Sequence, residues 1–229
     1  MECPWKRPVI STTVEPDERG VTVMSVTAEV VRPDAQTQQP VHTEEIPPRR
    51  RWTVAEYHKM AEVGLLKEDA RVELIEGDII EMTPIGSGHG GKVKRFIRLF
   101  SHLLGDTAIV AAQDPVVLGK RSEPQPDITI LRWRDDFYES AHPGPEDTLL
   151  VVEVADTTAR NDRKIKVPLY ARHGIPEVWL LDLQERVLEI YRNPEQGKYQ
   201  HIEHLRSGQV APLHLPEAVI QLADLFPGN

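Results

Sequence analysis

Four residues carry types and spacing that permit chemistry: Glu73, Asp127, Glu153 and Lys166. Asp127 follows Pro126 and opens an apolar run, Asp127-Ile-Thr-Ile-Leu131, while Glu153 sits inside another, Leu149-Leu-Val-Val-Glu-Val-Ala155. A carboxylate within such a run has no packing reason to be there and demands a partner. Carboxylate oxygens are the ligands of a hard divalent cation such as magnesium, which keeps several waters and takes few protein ligands. An ion of that kind lowers the pKa of an attacking water and offsets charge building on a phosphate. A lysine beside it adds a point cation or orients the water. Placed on adjacent strands, Asp127 and Glu153 supply two ligands. Lys166 reaches back from the following helix, and Glu73 is a further ligand or holds one of the ion's waters. The chemistry so composed is hydrolysis of a phosphodiester. Each residue also has a structural account: Glu153 on an edge strand or paired with an arginine, Asp127 starting a strand or closing a turn, Glu73 facing solvent between Val72 and Leu74, and Lys166 solvated on its helix.

The elements that must position these groups follow from local patterns. Thr53, with Glu56 three residues on, forms a capping-box pattern ahead of Tyr57, Met60 and Ala61, and predicts a short helix ending at Gly64. Residues 71–82 alternate apolar and polar about Glu76-Gly77, which predicts two strands joined by a tight turn with Glu73 in the first. After the glycine-rich Gly86-Ser-Gly-His-Gly-Gly91, the residues Val93, Phe96, Ile97, Phe100, Leu103 and Leu104 recur at helical spacing until Gly105. Strands are expected at about 107–112, 115–118, 127–132 and 148–155, then a helix near 163–173 and strands near 176–182 and 186–192. The stretch from 148 to 182 is a βαβ candidate. Pro168 removes a donor and clashes with the preceding turn, so the regular helix begins close to Lys166 or kinks there. Further short strands, as at 201–205, and a closing element over 218–226 complete the chain.

With 229 residues, 40% of them hydrophobic, the chain can bury one ordinary core. Residues 1–48 have scattered charges, isolated prolines and no sustained period, and read as a disordered or loosely held extension, with Met24 a second possible start. The segment 44–51 leads into a folded domain over 49–229. No run approaches a membrane span, the N-terminus lacks the apolar core of a secretory signal, and the single cysteine, Cys3, excludes an internal disulfide. A cytoplasmic protein without membrane contact is the expectation. The net charge of -9 excludes coating of nucleic acid by bulk charge, but leaves room for local phosphate chemistry through metal ions and a few placed cations.

Arg71-Val-Glu-Leu-Ile-Glu-Gly77, Ser122-Glu-Pro-Gln-Pro-Asp-Ile128, Val152-Glu-Val-Ala155, Asp162-Arg-Lys-Ile-Lys166, Leu169-Tyr-Ala171 and Gly174-Ile-Pro-Glu-Val-Trp-Leu-Leu-Asp182, in this order and spacing, resemble the Uma-type (Uma-two) restriction endonucleases of the PD-(D/E)XK nuclease superfamily. The resemblance covers roughly residues 50–226. It implies an α/β, restriction-endonuclease-like fold: a mixed central sheet flanked by helices, with a magnesium (or manganese) site at one end of the strands. It also implies a DNA endonuclease, with a homodimer permitted by analogy. Carried over, the family's acidic triad falls on Glu73, Asp127 and Glu153. Ala155 stands where lysine would complete Glu-x-Lys, and the resemblance implies a lysine migrated onto the following helix, which makes Lys166 the match and Lys164 the weaker stand-in. Gln113 matches a polar position near the site as a supporting contact. The alternative is an inactive member that keeps the fold as a nucleic-acid-binding or protein-interaction module.

The remaining candidates have plainer readings. His89 among glycines reads as a loop histidine, and the glycine-rich stretch lacks the ending of a phosphate loop and serves close backbone approach to the cleft or substrate. No zinc spacing appears. Lys92, Lys94, Arg95 and Arg98 form a basic stretch that is either a solvated face or a phosphate-contacting patch. Tyr170, Trp179 and Leu181 read as core, and the loop 133–147 as a place for substrate recognition.

Overall fold

The computed structural model describes residues 10–16, 22–28, 49–67 and 69–226. The chain divides between Pro48 and Arg49 into two units. In the first, strands β1 (Ile10–Pro16) and β2 (Thr22–Ala28) pair antiparallel, inside a segment whose sequence shows no sustained period. The rest of the expected extension lies outside the described residues.

The second unit begins with helix α1 (Val54–Glu62). Its capping box is formed: the Thr53 hydroxyl accepts from the Glu56 N–H at 3.2 Å and the Glu56 carboxylate accepts from the Thr53 N–H at 2.9 Å. Strands β3 (Val72–Ile75) and β4 (Asp78–Glu81) make the expected hairpin. Glu76 and Gly77 both adopt positive φ, 50° and 84°, as the tight hairpin turn that follows the strand twist requires. Glycine is also demanded sterically, since a Cβ on Gly77 would lie 2.7 Å from that of Arg51.

Helix α2 (Ser87–Leu104) starts earlier than the sequence pattern suggests, because the glycines of 86–91 form its first turns. The buried stripe Val93, Phe96, Phe100 and Leu104 holds it on the sheet, and tertiary packing of an amphipathic face outweighs poor glycine propensity at one end.

The central sheet has six strands: β5 (Ala108–Ala111), β6 (Ile128–Arg132), β7 (Thr148–Ala155), β8 (Glu177–Asp182), β9 (Val187–Glu195) and β10 (Lys198–Leu205), in the order β10-β9-β8-β7-β6-β5. Every neighbouring pair is antiparallel except β7 and β8, which are parallel and joined by the expected helical crossover. The strand expected over 115–118 is instead an irregular hairpin. Val116 and Leu118 are buried and their N–H groups reach the carbonyls of Pro124 and Ser122, but Pro115, Pro124 and Pro126 supply no donors for a regular ladder.

β7 explains why its sequence is almost uninterruptedly apolar: both of its faces are covered. Leu150, Val152 and Val154 pack with α2, while Val151 and Ala155 pack with the crossover helix. Glu153 shares that second face. The closing segment forms a small pair, β11 (Gln209–Val210) with β12 (Ile220–Gln221), and a turn of helix α5 (Leu222–Leu225) that seals the α2 side with Leu222 and Leu225.

The crossover is a composite helix: α3 (Ala159–Asn161), a π-helical turn (Asp162–Lys166) and α4 (Val167–Arg172). Pro168 sits in the first turn of α4. Its ring would strike the carbonyl four residues back in a regular α-helix, and the preceding turn is widened so that the Val167 N–H reaches the Asp162 carbonyl, five residues back. The turn so distorted carries Lys166. Among the described residues, no helix is long and apolar enough to cross a membrane.

Candidate active site

Antiparallel pairing of β6 with β7, Ile128 opposite Val152, brings Asp127 at the mouth of β6 beside the end of β7 that bears Glu153. The Val154 N–H donates to Asp127 Oδ2 at 2.8 Å. Glu73, on β3, approaches from the hairpin, and its Oε2 accepts the Gln125 N–H at 3.2 Å. The π-helical turn then places the Lys166 ammonium between the two glutamates, 3.2 Å from Glu73 Oε2 and 3.3 Å from Glu153 Oε1. All four residues line one cleft of about 290 Å³, whose wall also includes Arg71 and His89. The contacts join Glu73, Lys166 and Glu153 directly, whereas the side-chain partner of Asp127 is His89, with Nε2 at 2.8 Å from Oδ2.

Gln113 supports the site through its backbone. Its φ of 58° turns the chain so that its N–H donates to the Asp127 carbonyl at 3.2 Å, while the residue itself is exposed and outside the cleft wall. Lys164 is likewise exposed.

Two side chains that read as bland in the sequence belong to the cluster. Tyr170 is fully buried and donates its hydroxyl to Glu153 Oε1 at 2.6 Å. An aromatic residue at helical spacing looks like core from sequence, and only the strand carboxylate opposite reveals the polar end. His89 is a helical residue, not a loop residue. Counting four back from Val93 along the α2 stripe would have found it, had the glycines not masked the helix. A third group, Asp162, starts the π-helical turn, lines the cleft and accepts the Thr158 hydroxyl at 2.8 Å. By contrast, the loop 133–147 leaves the far ends of β6 and β7, so the site expected for recognition lies away from the carboxylates. It presents Trp133 and Phe137 to solvent, ring centroids 5.2 Å apart.

The electrostatics follow from enclosing several acids with few cations. Burial pushes Glu153 up to about 8, and Asp127 and Asp162 push the same way, against the pull of Lys166 and the Tyr170 hydroxyl. Asp162 is raised as well, again chiefly by burial. Burial opposes the charge on Lys166, but Glu153, Glu73, Asp162 and Asp127 outweigh it and hold the ammonium well above its ordinary value. Tyr170, buried against Glu153, is raised and stays neutral. The hydrogen bond to Asp127 holds the His89 ring above its usual value, with burial opposing.

Among the described residues, no three acidic, histidine or cysteine side chains are grouped to hold a metal ion as they stand. Lys166 stands between Glu73 and Glu153 instead. The chemistry of the donor set nevertheless fits a hard divalent cation that takes one or two carboxylates and keeps its waters. Asp127 and Glu153 offer hard oxygens, and the proton that burial, with Asp127 and Asp162 adding to it, holds on Glu153 is one that a cation in the cleft would displace. Asp127 Oδ1 and Glu153 Oε2 accept no hydrogen bond among the described residues, since the bonds formed by these carboxylates fall on Oδ2 and Oε1.

The chain matches the Uma2 family, described as putative restriction endonuclease, over residues 54–223, which includes all four residues. Among solved structures it is similar to a putative nuclease belonging to DUF820 from Anabaena variabilis, with a TM-score of 0.59 and 19% identity over 76% of this chain and 97% of that one. A likeness at that identity speaks for the fold: the expected mixed sheet flanked by helices is shared. No curated protein matches the chain. On that family match, which spans most of the chain, the chain belongs to the Uma2 family of putative restriction endonucleases.

Proposed function

We propose that the protein is a metal-dependent DNA endonuclease, with magnesium or manganese held by Asp127 and Glu153. The observation that supports this best is the position of Lys166: a helix-borne ammonium lies against a strand carboxylate in a cleft that also holds Asp127, although the strand position expected for lysine is Ala155. A bound divalent ion supplies charge neutralisation at the phosphate and a more acidic water. The chain's own residues do the rest. Glu73 and Glu153 hold the Lys166 ammonium within the cleft, where it faces the phosphate and orients the attacking water. Tyr170 fixes the Glu153 carboxylate through Oε1. The family description and the nuclease with the similar fold support nucleic acid as the substrate class.

The test is cleavage of plasmid, single-stranded and branched DNA with magnesium or manganese, comparing the parent with Glu153→Gln and Lys166→Ala. Metal-dependent cutting abolished by both substitutions is the expected result. Cutting that survives both overturns the assignment. A second reading rests on the pairing of Lys166 with both glutamates: a closed polar cluster in a protein that binds nucleic acid, or another protein, without cutting. DNA binding with no cleavage under any metal would select it.

A further inference from the structure

His89 lines the cleft and touches one of the proposed metal ligands, yet the proposed reaction assigns it no part. It continues the buried stripe of α2 one turn toward the helix start, which points the ring at the mouth of β6. There, Nε2 lies 2.8 Å from Asp127 Oδ2, and both side chains are only 13% exposed. A carboxylate only accepts, so Nε2 carries the proton of the bond. The same Oδ2 accepts the Val154 N–H from β7. Two donors from two different elements, converging on one oxygen, fix the plane of the carboxylate and leave Oδ1 turned to other partners. His89 Nδ1, meanwhile, is enclosed and is the one buried side-chain nitrogen or oxygen without a partner among the described residues. Leaving such an atom unmet is destabilising, and an apolar side chain of similar size would avoid it. The arrangement bears that cost and keeps the bond to Asp127.

We infer that His89 is the positioning residue of Asp127: by holding Oδ2 it presents Oδ1 to the divalent cation. The inference rests on the reading of Asp127 as a metal ligand. It is tested by Mn2+ binding calorimetry on the full chain, comparing the parent with Asp127→Asn, His89→Ala and His89→Gln, whose side-chain amide can donate from near the position of Nε2. Folding of each variant is checked by its melting curve. Loss of an outer partner of a metal ligand weakens metal binding by roughly 10–100-fold, so His89→Ala should lose that much and His89→Gln should recover most of it. In the metal-free parent, nitrogen NMR of the ring in alkaline buffer should show the Nε2–H tautomer.

Equal Mn2+ affinity in the parent and His89→Ala, with Asp127→Asn defective, overturns the positioning role while the metal reading stands. So does equal weakening in His89→Ala and His89→Gln, because donation would then not be what matters. An Nδ1–H tautomer overturns it whatever the metal result. If Asp127→Asn binds Mn2+ as the parent does, or neither binds, the metal reading itself has failed and takes this role with it.

Discussion

Replacing Lys166 with methionine removes an ammonium that is 13% exposed and keeps most of the side chain's apolar length. It leaves Glu73 and Glu153, 8% and 4% exposed, without their shared cation. Breaking a buried pair by deleting one partner costs about 3–5 kcal/mol when the remaining charge cannot escape. Glu153 has an escape, since it is already pushed up to about 8 and can take a proton near neutrality. A loss of about 3 kcal/mol near pH 7 is therefore expected, roughly 6–12 °C in melting temperature for a domain of this size. The pH dependence sharpens the expectation. The ammonium stays charged throughout, so the coupling between Lys166 and Glu153 should grow as pH rises through about 8 and Glu153 ionises. A double-mutant cycle with Glu153→Gln, read by urea unfolding at about pH 6 and about pH 9, measures that coupling directly, and a difference on the order of 1 kcal/mol or more is expected between the two conditions. A Lys166→Met loss below about 1 kcal/mol, or a coupling that is flat across the two conditions, would refute the account of the cluster as an ion-paired unit.

Other expectations can be checked alongside. Because the folded pKa of Glu153 is raised above its unfolded value of about 4.5, its contribution to stability is fully present below about pH 4.5 and lost as pH rises through about 8. Urea midpoints across that window should fall more steeply with pH for the parent than for Glu153→Gln. Arg163 bonds Glu189 through Nε and Nη2 and Asp182 through Nη2, so Arg163→Ala uncovers two buried carboxylates. With solvent reaching the guanidinium, a loss of about 2 kcal/mol in chemical unfolding is expected. Gly91 is an interior residue of α2 with open space where a Cβ would go. Gly91→Ala should therefore raise stability by about 0.5–1 kcal/mol, and destabilisation would show that the fold needs this glycine. Gly77→Ala should do the opposite, because the positive φ and the nearby Arg51 Cβ leave no room, and an unchanged melting temperature would contradict the turn geometry.

How much could be read in advance depended on whether short-range chemistry or long-range packing decided each element. The α1 capping box and the Glu76-Gly77 turn are local devices, and both stand where their residues predict. The crossover between β7 and β8 was equally legible, because a strand buried on both faces leaves a continuous apolar run in which Glu153 stands out. The start of α2 was hidden: four glycines speak for a loop, and the helix is imposed by Val93 onward. His89 was lost with it. The hairpin at 115–124 misled in the other direction, with apolar alternation typical of a strand but prolines where ladder donors are needed. Tyr170 shows a further limit. Its ring packs as core and its hydroxyl serves Glu153, and no pattern in the chain separates the two uses.

The composite crossover helix divides the cleft into parts with different foundations. Asp127 and Glu153 are rooted in hydrogen-bonded strands and move only if the sheet does. Lys166 hangs from a widened helical turn, held to the sheet by its own pair with Glu153 on β7 and by the grip of Arg163, in the same turn, on β8 and β9. The place of the ammonium is therefore set by how this turn packs on the sheet, while the carboxylates take theirs from the chain that enters β6 and forms β7. A lysine at the Ala155 position would share the strand's foundation, and Ala155 is instead packed without exposure beneath the helix. Moving the cation from strand to helix makes the site one of two halves, one set by strand pairing and one by helix packing.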